Sequence, residues 1–134
     1  MSDDFNDVQR SYGRCLAAGS FIDRFYDILM ASNEDVRRSF ARTNFGHQRR
    51  ALRRGITTAI LYAAGDELVS RTVETMAEVH SRKGRAPVEP ALYGYWMESM
   101  VQAVREYDSA FDHQLEARWR RALQPVIDTF IERY

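Results

Sequence analysis

Three polar residues that could take part in chemistry lie on the apolar faces of predicted helices: His80, Gln48 and Tyr26. An imidazole can bind a metal or exchange a proton near neutral pH, whereas an amide or a phenol can donate a hydrogen bond to a ligand. A polar group buried without a partner costs a few kcal/mol, so each of these side chains must find one. That partner is either another group of the protein or a bound ligand.

The elements that carry these residues are predicted to be α-helices. Apolar residues recur at three- and four-residue spacing along the chain, and no two-residue alternation typical of strands is convincing. His80 shares a helix face with Val73 and Met76. Gln48 lies four residues before Leu52 and therefore on the same side of a second helix. About seven such segments with short connections predict an all-α fold.

Helix boundaries are predicted from residues that cap or break helices. Ser20 with Asp23 resembles a capping box at the start of the second helix. Asn33 is a suitable N-cap for the third helix, and Gly84 a suitable stop after the helix of His80. Pro125 lies inside the last amphipathic segment and predicts a kink there.

The composition is that of an ordinary globular protein. Of the 134 residues, 45% are hydrophobic and 28% are charged, and 19 basic residues balance 19 acidic ones. We therefore expect one domain over residues 1–134 and no general affinity for nucleic acid. The single cysteine excludes an internal disulfide, and no apolar run suits a membrane span or a secretion signal. These features predict a cytoplasmic protein without a membrane partner.

Arginines are concentrated in one stretch of the chain. Residues 36–65 contain seven arginines and no acidic residue. The stretch lacks the helix-turn-helix pattern or stacking aromatics of usual nucleic-acid modules, so a solvated face or a docking surface for an acidic partner is the better interpretation. Four of these arginines lie on the helix side away from Gln48: Arg49, Arg50, Arg53 and Arg54.

From about Phe21 to Tyr134 the chain resembles the globin domain of flavohaemoglobins and the related single-domain bacterial globins. The segments that carry the resemblance are "FIDRFYDILM", "GHQRRAL", "ETMAEVH", "EPALYGYW" and "WRRALQPVIDTFIERY". It implies a three-over-three helical sandwich that binds one haem b. The glycine pairs typical of the truncated, two-over-two globins are absent.

The resemblance also implies a role for each candidate residue. His80 matches the proximal histidine that binds haem iron, and Tyr93 matches the helix-G tyrosine near it. Gln48 matches the distal residue that faces the bound gas, with Leu52 one turn along over the haem. Tyr26 matches the helix-B tyrosine of the distal pocket.

Three details of this site are open at the sequence level. Phe40 best matches the phenylalanine that stacks on the porphyrin, but the short segment after it makes Phe45 an alternative. The second ring nitrogen of the proximal histidine needs an acceptor, for which we expect a backbone carbonyl near Met76 or Ala77. Tyr26, Gln48 or the neighbouring His47 could occupy the sixth position on iron.

The implied function is reversible binding of O2, NO or CO at haem iron. The resemblance also implies NO dioxygenase activity as a secondary function. We expect a separate electron-donating reductase for it, because residues 1–134 are expected to form one globin domain with no reductase or output domain. The family's helix-H glutamate near the proximal histidine falls just beyond Tyr134, and Glu132 is a poor substitute for it in register. The alternatives are a gas or redox sensor that signals through a partner protein, and a haem-free helical adaptor.

Overall fold

The computed structural model describes residues 3–134, in which seven α-helices and two 3-10 turns are the regular elements and no strand occurs. The predicted all-α class and number of helices are confirmed. The helices are α1 (Asn6–Ala17), α2 (Phe21–Ser32), α3 (Glu34–Ser39), α4 (Phe45–Ala63), α5 (Ser70–His80), α6 (Tyr93–Tyr107) and α7 (His113–Glu132), and the 3-10 turns are Glu67–Val69 and Pro90–Leu92.

The core forms where helices distant in sequence cross. α2 packs mainly against α6, while α4 and α5 both pack against α7. Trp119, Phe21 and Phe25 are the largest side chains that are almost completely buried. Each aromatic side chain buried in this way contributes roughly 1.5–3 kcal/mol, so these crossings hold the helices that carry the candidate residues. In residues 3–134 no helix is long and apolar enough to cross a bilayer.

Two predicted helix starts have different outcomes. Asn33 caps α3 as predicted, since its side chain accepts hydrogen bonds from the amides of the first turn, and Asn44 does the same for α4. The predicted capping box of α2 is wrong, because the Ser20 side chain makes no cap hydrogen bond. The Asp23 carboxylate instead pairs with Arg49 of α4 at 2.6 Å. A tertiary ion pair therefore takes the place of a local cap.

The end of α5 differs from the prediction, and the proline within α7 does not divide that helix into two. α5 ends at His80 rather than near Gly84, and residues 81–89 form a loop. α7 runs as one helix through Pro125, which lies in its interior. Pro125 has no backbone N–H, so one hydrogen bond of the helix is missing at this residue. The Thr129 hydroxyl donates to the Pro125 carbonyl at 3.1 Å.

A buried polar cluster joins α1, α6 and α7. The Asp108 carboxylate accepts hydrogen bonds from the Ser11 hydroxyl at 2.5 Å and from two nitrogens of Arg14 at 2.6 and 2.9 Å. The Trp119 indole donates to the Ser11 hydroxyl at 2.9 Å. Burial acts to raise the pKa of Asp108, but the hydrogen bonds from Arg14 and Ser11 outweigh it, and the pKa is lowered.

Replacing Asp108 with alanine is expected to destabilise the fold by about 2–3 kcal/mol, because charge-assisted hydrogen bonds are lost inside the protein. The pKa of Asp108 is lower in the folded than in the unfolded chain, so its contribution is complete above the unfolded value of about 4. This contribution is lost as pH falls through the pKa of Asp108 in the folded state. The free energies of unfolding of the wild type and the variant should then converge. Urea unfolding between neutral and acidic pH measures this difference.

The matched control is Glu106→Ala, which breaks an exposed ion pair with Arg24 at the same end of α6. We expect a loss below about 1 kcal/mol from this change. Equal losses in the two variants would show that burial of Asp108 adds nothing to its ion pair.

Candidate functional site

The last turn of α5 is held by the loop that follows it. The amide of Ala86 donates to the Val79 carbonyl and the amide of Val88 donates to the His80 carbonyl, each at 3.0 Å. The carbonyls at the end of a helix have no partner within the helix, so this loop satisfies them by folding back. The position of His80 is thereby fixed from the loop side as well as by α5.

Gly84 permits the loop to approach α5 this closely. A Cβ atom at this position would lie 2.2 Å from the carbonyl oxygens of both Glu78 and Val79. Those atoms belong to the backbone of α5 and have no room to move without deforming the helix. Glycine is therefore required here for close backbone approach, and not because it ends the helix.

The imidazole of His80 is oriented by the same loop. Its Nδ1 atom lies 3.0 Å from the carbonyl oxygen of Ala86. A carbonyl can only accept, so Nδ1 must carry the proton, and in the neutral ring Nε2 keeps a free lone pair. The expected acceptor near Met76 or Ala77 is wrong. Because Ala86 acts through its backbone, no feature of its side chain could have identified it.

Phe130 of α7 connects His80 with Tyr93. Its ring centroid lies 5.3 Å from that of His80 and 6.0 Å from that of Tyr93. The Tyr93 hydroxyl is buried and has no hydrogen-bond partner in residues 3–134, and burial raises its pKa to about 12. The sequence predicted Tyr93 beside the histidine, but Phe130 was identified only as part of an apolar helix face.

Met76 lies where α5 faces α4. Its methyl group is 3.6 Å from the position that a Cβ atom of Gly55 would occupy. Met76 is half-buried, and the flexible thioether fills space that the missing Gly55 side chain leaves. We call His80, Tyr93 and Met76 the proximal group, because Phe130 contacts the first two and Met76 lies one turn before His80 on α5.

A second cluster, the distal group, consists of Tyr26, Gln48, Leu52, Phe40 and Phe45. The Tyr26 ring contacts Phe40 and Phe45 edge-on at centroid distances of 5.9 and 5.5 Å. The two phenylalanines stack on each other at 6.1 Å, and both are half-buried. Phe40 and Phe45 therefore form one aromatic wall. The two candidates for the phenylalanine that would stack on a porphyrin thus lie side by side.

Hydrogen bonding distinguishes Tyr26 from Gln48. The Tyr26 hydroxyl donates to the backbone carbonyl of Gln48 at 3.3 Å, and burial raises its pKa to about 12. The side-chain amide of Gln48 is half-buried and bonds to no group within the described part of the chain. Leu52 is buried one turn further along α4. His47 is exposed, and its Nδ1 lies 3.1 Å from a nitrogen of Arg50.

The distal and proximal groups are linked through the α2–α6 contact. Phe25 lies between Tyr26, at 5.0 Å, and Trp96, at 5.7 Å. Trp96 is on α6, one turn after Tyr93 of the proximal group. Six of the eight residues predicted from the sequence thus lie in two sets of contacts, one around Tyr26 and one around Phe130, while Leu52 and Met76 are placed by their positions on α4 and α5.

The donor set limits which metal centre this region can hold. The described residues contain no group of three or more His, Cys, Asp or Glu side chains that could hold a metal ion. A metal bound by His80 would need its other ligands from a cofactor, and a porphyrin supplies four nitrogens. Half-buried apolar side chains in this region would suit such a flat, apolar molecule. They are Phe40, Phe45, Met76, Val88, Leu92 and Trp96.

The order and packing of the seven helices define a haemoglobin-like globin fold. The chain is similar to protein PA3967 of Pseudomonas aeruginosa PAO1, whose crystal structure is described as structurally highly homologous to a human haemoglobin. The two share 31% sequence identity over 98% of each chain, with a TM-score of 0.90. The chain therefore belongs to the bacterial globins, which confirms the predicted family and the globin-like fold. No family model and no curated protein matches it.

Proposed function

We propose that this globin binds haem b and takes up a diatomic gas, with O2 as the first candidate and NO and CO as others. The observation that carries the proposal is the hydrogen bond from His80 Nδ1 to the Ala86 carbonyl, which leaves Nε2 free as a ligand atom. When bound, haem supplies an iron atom with one coordination position open to a gas. His80 would hold that iron through Nε2.

Two observations on the proximal side support the fit of haem to these residues. The buried Tyr93 hydroxyl lacks a partner, which is costly unless a ligand, a water or a rearranged neighbour supplies one. Phe130 packs against both His80 and Tyr93 and keeps the imidazole from rotating away from the Ala86 carbonyl. The ring is therefore oriented before any cofactor arrives.

On the distal side, the residues would hold the gas and exclude water. Leu52 and the aromatic wall of Phe40 and Phe45 supply an apolar boundary. The Gln48 amide is free to donate a hydrogen bond to a polar gas ligand. The Tyr26 hydroxyl has one proton and donates it to the Gln48 carbonyl, so Tyr26 acts first by fixing the backbone of α4 next to Gln48.

The absorption spectrum of the purified protein tests the cofactor directly. We expect a Soret band after expression or after addition of haemin, and a shifted band when CO is added to the ferrous form. A Soret band that stays with the protein through gel filtration and shifts with CO shows that the protein holds the haem. A protein that stays colourless and does not take up haemin would instead support the haem-free helical adaptor.

The two polar residues of the distal group should differ in their effect on O2 release. We expect Gln48→Leu to increase the dissociation rate of O2 about ten- to a hundredfold, because a free donor is worth roughly 1.5–3 kcal/mol to a charged acceptor. Tyr26→Phe should increase it less, because its hydroxyl is already engaged. Stopped-flow measurement of O2 release compares the two variants. A larger effect of Tyr26→Phe would mean that its hydroxyl leaves the Gln48 carbonyl for the gas.

Conversion of NO and O2 into nitrate is a secondary activity of the proposed site, and it needs one electron per turnover from a separate reductase. Glu132 is exposed at the end of α7 and forms no hydrogen bond with His80 or Tyr93. The proximal imidazole therefore pairs with a neutral carbonyl, which favours gas binding as the primary function. Consumption of NO with a supplied reductant would support the enzyme, and gas-dependent binding of one partner protein would support a sensor.

A further inference from the structure

The solvent face of α4 is strongly basic. We call the exposed residues Arg49, Arg50, Arg53 and Arg54 the arginine face. Arg49 pairs with Asp23, and Arg50 approaches the ring of His47. Arg53 and Arg54 form no ion pair within residues 3–134.

Local stability does not explain this arrangement. Arg49 and Arg53 are four residues apart, as are Arg50 and Arg54, and like charges at this spacing repel each other on a helix. α4 contains no acidic residue that would relieve the repulsion. Acidic residues are available in the chain, since Arg118 of α7 is paired with both Asp3 and Asp7. Apart from Arg49, which pairs with Asp23, the arginine face therefore carries positive charge that no acidic side chain of residues 3–134 compensates.

A groove adjoins the arginine face between α1 and α4. Its volume is about 400 Å³, and it is lined by Tyr12, Leu16, Arg53, Arg54, Thr57 and Thr58. The hydroxyls of Tyr12 and Thr57 both donate to the Arg53 carbonyl, at 3.3 and 3.2 Å, so these polar atoms are already satisfied. The groove thus offers an apolar floor with arginines at its rim, a combination that suits one apolar side chain of a protein partner.

We propose that the arginine face and this groove are the docking surface for an acidic electron-donor protein. Its carboxylates would pair with Arg53 and Arg54, and an apolar side chain would enter the groove. The inference rests on the proposed function, because an electron donor is needed only if the chain binds haem. Haem held by this chain would accept one electron from the partner's reduced cofactor, which would be oxidised by one electron.

The charge distribution favours a protein over nucleic acid or membrane. The chain has 19 acidic and 19 basic residues, so its overall charge gives no long-range attraction to a polyanion. The exposed residues of α4 include no Phe, Tyr or Trp that would stack on bases, since besides the four arginines they are His47, Ala51 and Thr57. Four exposed arginines on one helix are complementary in charge to an acidic protein surface, and such complementarity steers the association of two proteins.

Binding of labelled flavodoxin, an acidic electron-donor protein, tests the proposal without depending on haem. Fluorescence anisotropy at low ionic strength would compare wild type with Arg53→Glu/Arg54→Glu. The control, Arg71→Glu/Arg121→Glu, makes the same change in net charge at exposed residues of α5 and α7. We expect the dissociation constant to rise at least about tenfold in the α4 variant and less than about twofold in the control. Thr58→Trp, which fills the groove without a charge change, should also weaken binding.

The proposal would be overturned if wild type and Arg53→Glu/Arg54→Glu bound flavodoxin with equal affinity. It would also be overturned if this variant and the control variant lost the same amount of affinity. Tighter binding of duplex DNA or of phosphatidylglycerol vesicles through the same arginines would also overturn it. Where haem is present, reduction by flavodoxin should slow in the α4 variant while reduction by dithionite does not. A chain that binds flavodoxin but no haem would refute the proposed function and leave the docking surface intact.

Discussion

His80→Ala is expected to abolish the stable haem complex, with loss of the Soret band after gel filtration. His80 Nε2 is the nitrogen that the proposed site offers to iron, because Nδ1 of the same ring is engaged by the Ala86 carbonyl. Without it, haem would be retained only by contacts with apolar side chains. Absorption spectra of wild type and variant, both incubated with haemin and then desalted, measure this effect.

Two controls separate ligation from folding. His113→Ala removes an exposed histidine at the start of α7 and should leave the spectrum unchanged. His80→Gly with added imidazole should recover the Soret band, since the free ring can take the place of the missing side chain. A His80→Ala protein with the spectrum of the wild type would show that iron has a different ligand or that haem binds elsewhere.

Gly84→Ala is expected to weaken haem binding about ten- to a hundredfold, although Gly84 lies outside the site itself. Its methyl group would meet the carbonyls of Glu78 and Val79 at 2.2 Å, so the loop must move away from α5. The Ala86 carbonyl moves with it, and His80 then loses the hydrogen bond that orients the imidazole. Loss of such a supporting bond typically costs this much in metal affinity.

The same change should lower the free energy of unfolding by about 1–3 kcal/mol, as overpacking does in close-packed regions. Haem transfer to apomyoglobin measures the first effect and urea unfolding the second. Gly13→Ala is the matched control, because a Cβ atom at Gly13 of α1 would have no neighbour within 4 Å. That variant should be equal to wild type or more stable by up to about 1 kcal/mol. Wild-type haem retention in Gly84→Ala would show that the loop does not orient His80.

Several features of the fold were predictable because their causes are local. The three- and four-residue spacing of apolar residues reflects the pitch of a helix, and it identified all seven α-helices. Asn33 caps α3 because its own side chain reaches the amides that follow it. The family resemblance was also readable, since it depends on the order of residue types along the chain.

The prediction failed where a residue's partner came from another part of the fold. Ser20 and Asp23 have the spacing of a capping box, but the Asp23 carboxylate pairs with Arg49 across α2 and α4. A charge-assisted bond to a guanidinium outweighed a local bond to a backbone amide. Gly84 has the position of a helix stop, but the close return of the loop to α5 is what requires it.

By itself, the sequence determined the helical class, the order of the helices and the residue types at the two sides of the proposed haem site. Only the tertiary structure decided which groups those residues meet: the Ala86 carbonyl at His80, the Gln48 carbonyl at Tyr26, and Phe130 against both His80 and Tyr93. Helix periodicity is a property of neighbouring residues, whereas these contacts depend on how far the helices slide and how the loops return. Backbone acceptors such as Ala86 and Gln48 have no side-chain signature, so their roles appear only once the chain is folded.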